Sequence, residues 1–221
     1  MMGVNKVIYS AMFGDYDNIH SPLIQLSDWD LVLFTNSDIS INNCNVVKVS
    51  MEQGFDNVKM SRLYKIMPHH YFKDYHLSLW IDSSILIYEP INDILNFITN
   101  EKKLCLYRHT KNWKQEMDSV VKFRKKNRDI LNSQMIDYQS DGFDVNDKIM
   151  AGGVILREHL DYKVIETMEF WWEQFNKYYT RRDQLSLAYA IWKTQLNIGV
   201  FDGLYPRGNR NIKYFKIFNH K

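Results

Sequence analysis

The chain has 221 residues, 45% of them hydrophobic and 14% aromatic, with only nine glycines and four prolines. That length and composition suit one α/β domain and exclude a disordered or low-complexity chain. Lysine and arginine (28) almost balance aspartate and glutamate (26), and the net charge of +2 excludes a broadly basic nucleic-acid binder.

In chain order, Lys6 to Phe13 reads as a first strand ending in the turn cluster Gly14-Asp15-Tyr16-Asp17. Asp30 to Asn36 is a second strand, nearly all apolar, as expected where a parallel sheet is covered on both faces. Val46 to Val49 is a short third. Over Asp56 to Pro68 the spacing predicts a helix, with Met60, Leu63, Tyr64 and Met67 on one face and Lys59, Arg62 and Lys65 on another. Leu77 to Asp82 is a central strand that ends on a carboxylate. A short helix over Ile91 to Ile98 and a strand over Lys103 to Tyr107 follow.

The segment 111–147 is polar and charged, with helix expected over Val120 to Ile136. It reads as an insertion on the acceptor side of a site, not as a linker. Met150 to Arg157 is a strand broken by Gly152-Gly153. Tyr162 to Tyr179 is a long helix whose apolar face carries Val164, Met168, Trp171, Trp172 and Phe175, and Asp183 to Lys193 is another. Strands alternating with helices predict an α/β fold with a mixed, mostly parallel central sheet flanked by helices. Ligands of such sheets bind beyond the carboxyl ends of the strands.

No secretory signal is expected, because Asn5, Lys6 and Ser10 interrupt the first apolar run. No apolar stretch reaches the roughly 20 residues of a membrane span. A soluble, cytoplasmic protein is the expectation. Cys44 and Cys105 stand alone and read as reduced thiols.

Five features could carry chemistry. Asp82-Ser83-Ser84 follows an apolar strand; if strand alternation continues, Asp82 and Ser84 share a face and offer hard oxygens to Mn²⁺ or Mg²⁺. A turn cap is the equal alternative. Lys59, Arg62 and Lys65 could neutralise a diphosphate, although a solvated helix face explains them as well. Asp183 reads as a helix N-cap or as a carboxylate facing a reacting sugar. Gly152-Gly153 reads as a bulge or as room for a ligand against the backbone. His220 reads as a tail residue, or as one that folds back onto a cation beside Asp82. None of the seven histidines has zinc-site spacing, so zinc is not expected, and there is no phosphate-binding Gly-Lys-Ser/Thr loop, dinucleotide fingerprint or nucleophile elbow.

Six short segments in order carry a resemblance. They are Phe13-Gly14-Asp15-Tyr16-Asp17, Phe34-Thr35-Asn36, 61–69, 78–85, Arg157-Glu158-His159 and Arg182-Asp183-Gln184-Leu185-Ser186. With them the chain resembles the GT-A glycosyltransferases, and more closely the glycosyltransferase-like domain of plant mucilage-related and turgor-regulation proteins and of large algal viruses. The resemblance implies a single GT-A-like domain over 1–221 that moves a sugar, in the hexosyl or deoxyhexosyl class, from a UDP-type donor to a glycan or to a lipid- or protein-linked sugar, in polysaccharide biosynthesis.

It further implies that Ala11, Phe13, Gly14, Asp15 and Tyr16 hold the nucleotide, with Thr35 and Asn36 near the base or ribose. Arg62 with Lys59 or Lys65 faces the diphosphate, and Gly152 and Gly153 line the sugar pocket. Asp82, Ser84 and His220 hold the metal, and Asp183 is the catalytic carboxylate. Ser84 stands where the family has a second aspartate, which weakens the expected metal site. A catalytically inactive nucleotide- or glycan-binding module is the alternative from another class. A lipid hydrolase is disfavoured by the missing elbow and zinc spacing.

Overall fold

The computed structural model describes residues 5–14, 22, 26, 28–205 and 210–218. Three strands open the fold: β1 (Lys6–Met12), β2 (Asp30–Thr35) and β3 (Asn45–Lys48). Helix α1 (Asn57–Ile66) follows, its first turn closed by the Asp56 carboxylate, which accepts from Lys59 N at 2.9 Å. Then come the one-turn helix α2 (Pro68–Tyr71), strands β4 (Leu77–Ile81) and β5 (Ile85–Ile87), and a 3₁₀ turn over Asn92–Phe97.

Strand β6 (Leu104–Asn112) leads into α3 (Trp113–Phe123) and α4 (Arg128–Ser140). The single helix expected over Val120 to Ile136 is therefore two. Buried Asn127 is drawn inward to donate its side-chain amide to Thr180 O at 3.1 Å, and the chain passes that point as a 3₁₀ turn, Lys125–Asn127. Strand β7 (Lys148–Arg157), helices α5 (Tyr162–Lys177) and α6 (Gln184–Thr194), and strands β8 (Ile198–Leu204), β9 (Arg210–Ile212) and β10 (Phe215–Ile217) complete the order. Strand β8 carries no clear alternation and was not expected from the sequence.

Among the described residues, seven strands form the main sheet in the order β3-β2-β1-β4-β7-β6-β8, and β5-β10-β9 form a small second sheet. The sheet is mostly parallel; β7 alone runs against both its neighbours, β4 and β6. Strand alternation divides the core in two. Val7, Tyr9 and Ala11 face α1, α5 and α6, where Met60, Met168, Trp171 and Leu187 pack. Ile8, Leu79 and Ile81 face the other way, against β5, β10 and the 3₁₀ turn. A third cluster, from Trp113 to Tyr189, seats α3 and α4 on α6. No helix of the described residues is long and apolar enough to cross a membrane.

Candidate functional site

Strands β2, β1 and β4 are adjacent and parallel, so their carboxyl ends share one edge. Gly14, Asn36 and Asp82 lie just beyond those ends. Gly14 has φ +68°, a conformation that favours glycine, and a Cβ there would lie 2.4 Å from the Asn57 side-chain nitrogen, so that side chain would have to move. Its N–H donates to Asn36 Oδ1 at 3.1 Å, which ties the ends of β1 and β2 together.

Other residues of this edge are engaged in the fold. Phe13 stacks on Tyr64, with centroids 5.8 Å apart, in the core. Thr35 is fully buried and its hydroxyl accepts from Ser37 N at 3.1 Å. Ala11 is buried, and its carbonyl accepts from Ser61 Oγ at 3.2 Å. Asp15, Tyr16 and His220 lie outside the described residues.

The centre of the edge is Lys65. Its ammonium lies 2.7 Å from Asp183 Oδ2 and 3.6 Å from Asp82 Oδ1. Trp80 and Trp171 wall it in, each ring centroid 5.9 Å away. The same two indoles orient the two carboxylate segments. Trp80 Nε1 donates to Asp82 Oδ1 at 2.8 Å, and Trp171 Nε1 donates to the Asp183 carbonyl at 2.9 Å. Asp183 also pairs with Arg62 Nε at 3.1 Å. Burial pushes the Asp183 carboxyl up, but Arg62 and Lys65 outweigh burial and hold it well below the usual carboxylate range.

Asp183 occupies the N-cap position of α6, yet its side chain makes no capping hydrogen bond. It turns instead to α1. Helical spacing alone made capping an adequate account; only the packing of α5 and α6 against α1 shows the side chain's other direction.

Asp82 does not lie on a continuing strand. β4 ends at Ile81, and Ile85 N donates to Asp82 O at 2.9 Å, closing a turn over 82–85. The expectation that strand alternation puts Asp82 and Ser84 on one face is corrected by this turn. Ser84 is buried, with its carbonyl accepting from Phe218 N at 2.9 Å. Asp82 N donates to Gly153 O at 2.9 Å, which fixes the turn to β7.

Gly152 and Gly153 lie in a bulge: pairing of β7 with β6 jumps from Ile155 opposite Leu106 to Ala151 opposite Tyr107. Side chains of the protein fill the space above them. A Cβ on Gly152 would lie 3.1 Å from Lys65 Nζ, and one on Gly153 would lie 2.0 Å from the Tyr205 hydroxyl oxygen. Tyr205 was not singled out in the sequence. Burial, and next the Asp82 charge, push its phenol far up, so it stays protonated beside the carboxylate.

The helix cations separate into two groups. Arg62 and Lys65 meet at Asp183, whereas Lys59 lies over the rings of Phe55 (4.4 Å) and Tyr179 (5.6 Å). Ion pairs on both sides hold the loop before Asp183. Arg181, at φ +67°, pairs with Asp56 at 2.9 Å, and Arg182 pairs with buried Glu116 of α3 at 2.6 Å. Lys111 also reaches Glu116, at 2.9 Å. Beneath the site, Arg157 is fully buried and donates to the Lys65 carbonyl and the Tyr9 hydroxyl, which fixes the end of α1 that carries Lys65.

Two solved structures share this architecture. Mouse xyloside xylosyltransferase 1, in its apo form, superposes with a TM-score of 0.53 at 10% identity, covering 90% of this chain and 85% of that one. The glycosyltransferase GlyE of Streptococcus pneumoniae TIGR4 gives 0.50 at 10% identity, over 90% of this chain and 45% of that one. At such identity the likeness concerns the fold, and the fold is that of the GT-A glycosyltransferases. The chain belongs to the TOD1/MUCI70, glycosyltransferase-like domain family, whose model matches residues 32–215. A search of curated proteins by sequence gives no match.

Proposed function

We propose that this glycosyltransferase-like domain moves a hexosyl or deoxyhexosyl group from a UDP-type nucleotide-sugar to a hydroxyl of a glycan or of a lipid- or protein-linked sugar, in polysaccharide biosynthesis. The observation that carries the reading is the run of contacts Asp82, Lys65, Asp183, Arg62 at the carboxyl edge of β1, β2 and β4. It brings two carboxylates and two cations to the place where such sheets bind their ligands.

The nucleotide is assigned to the edge around Gly14 and Asn36, and the diphosphate to Arg62 and Lys65. The donor set fits a hard divalent cation. Asp82 retains a part-open carboxylate, 28% exposed, beside the Ser84 turn. Mn²⁺ or Mg²⁺ suits such oxygen ligands, and Asp82, Ser84 and His220 are the residues that would hold it. With one carboxylate and an ammonium nearby, the protein alone would hold the cation weakly. When bound, the cation supplies charge neutralisation at the departing diphosphate.

The residues of the chain do the rest. Arg62 and Lys65 stabilise the charge that grows on the leaving group as the sugar–phosphate bond breaks. A carboxylate held as strongly ionised as Asp183 is a poor proton acceptor. Asp183 therefore acts as a fixed negative charge beside the developing cationic sugar, and the acceptor hydroxyl gives its proton to the departing diphosphate. Segment 111–147, tied to Arg182 through Glu116, flanks the acceptor side.

A thermal-shift panel of nucleotide sugars with Mn²⁺ tests this reading. A donor at about 100 times its Kd raises stability by about 2.7 kcal/mol. No shift with any nucleoside diphosphate or nucleotide sugar rejects it. A shift without transfer or hydrolysis favours the inactive nucleotide- or glycan-binding module.

A further inference from the structure

A second group of ligating side chains lies away from Asp82. His69 and His70 are consecutive in α2, so helix geometry points them about 100° apart. Their rings nevertheless converge, with centroids 4.4 Å apart and planes at 73°. The Nε2 atoms of His69 and His70 lie 2.9 and 3.2 Å from the same oxygen, Glu169 Oε1 on α5. One ligand atom from each residue falls within 4.8 Å of the others, the one such group among the described residues. Spacing along the chain hides it, because Glu169 is 100 residues from His69.

Two imidazoles and one carboxylate form the ligand set of an open zinc site, with room for water in the fourth position. Nitrogen-rich sets favour zinc and the late first-row ions over magnesium and calcium.

We propose that His69, His70 and Glu169 bind one zinc-class divalent cation, separate from the oxygen site at Asp82. Helix α2 directly follows the helix that carries Lys65, and Glu169 lies two residues before Trp171, which holds Asp183. The cation pins α2 to α5 and so stiffens the seat of the Lys65–Asp183 pair. His69 Nδ1 is buried with no hydrogen-bond partner among the described residues. Lacking that outer support, the site binds about 10- to 100-fold more weakly than one that has it.

Calorimetry with Zn²⁺, and visible absorption with Co²⁺, on the whole chain and on E169Q, H70Q and D82N test the proposal. His70 and Glu169 are about half exposed, so these two variants fold, and their metal-free melting temperatures check this. The expected result is one equivalent of Zn²⁺, weakened at least tenfold in E169Q and H70Q, unchanged in D82N, and accompanied by a rise in melting temperature. No zinc binding to the wild type, affinity undiminished in both E169Q and H70Q, or a loss confined to D82N overturns it.

Discussion

Lys65 Nζ lies 2.7 Å from Asp183 Oδ2, and both side chains are almost wholly buried, at 3% and 4% exposure. Two charges removed from water in this way are retained only as partners, since either one alone meets the full desolvation penalty. The pair joins the last turn of α1 to the first residue before α6, and Asp82 at the end of β4 approaches the same ammonium. The ends of α1 and β4 and the start of α6, more distant in sequence, are thereby held around one cation.

Removing both members of the pair is predicted to cost less than the two single removals added together. D183N leaves Lys65 buried with a diminished counter-charge and destabilises by about 3–5 kcal/mol. The double variant K65M/D183N is less destabilised than the sum of the single changes, because each single change already breaks the same Lys65–Asp183 contact. Denaturant unfolding of the four proteins measures this; additive losses contradict it. If the proposed reaction is right, D183N also lowers transfer by about 10²-fold or more.

G153A is predicted to act through Tyr205. The added Cβ would lie 2.0 Å from the hydroxyl oxygen and 2.6 Å from Cζ, so the ring must leave. Overpacking of this kind costs about 1–3 kcal/mol. In a Y205A background the same change costs little, and a double-mutant cycle by thermal unfolding detects the difference. Equal costs in the two backgrounds contradict the contact.

Acid sensitivity traces to His159. Burial, opposed by its hydrogen bond to Phe72 O at 2.8 Å, lowers its pKa from 6.5 to about 4. The unfolded chain therefore binds a proton that the fold refuses between those values, and stability rises with pH across that window. The contribution is complete above about pH 6.5 and falls by about 3 kcal/mol by pH 4. H159Q, which keeps a donor for Phe72 O but cannot titrate, flattens this part of the stability curve relative to wild type. An unchanged pH dependence in H159Q counts against it. Asp183 loses its contribution in the same direction but in a lower window: its folded pKa is depressed, so the contribution persists at mild acidity and is lost only in strong acid.

The strand ends, the alternation of strands and helices, and hence the GT-A layout are legible in the sequence because apolar period and turn residues are local. Asp82 and Asp183 are also legible as carboxylates at element boundaries. Their partners are not. Trp171 and Tyr205 reach the site from α5 and from beyond β8, and no spacing within either segment points to Lys65 or Gly153. The turn at Asp82-Ser83-Ser84-Ile85 misleads an alternation argument, since a strand and a strand followed by a tight turn read alike until the backbone is seen. The convergence on Glu169 fails to register for the same reason: two adjacent histidines gain meaning only from a distant helix.

The central claim is that Arg62, Lys65 and Asp82 form a seat for a diphosphate and its cation. Calorimetric titration of UDP into the wild-type protein and into R62A, each with and without Mn²⁺, tests it most directly. The account predicts binding by the wild type that strengthens with Mn²⁺ and falls at least tenfold in R62A. No UDP binding under either condition, or equal binding by wild type and R62A, contradicts it.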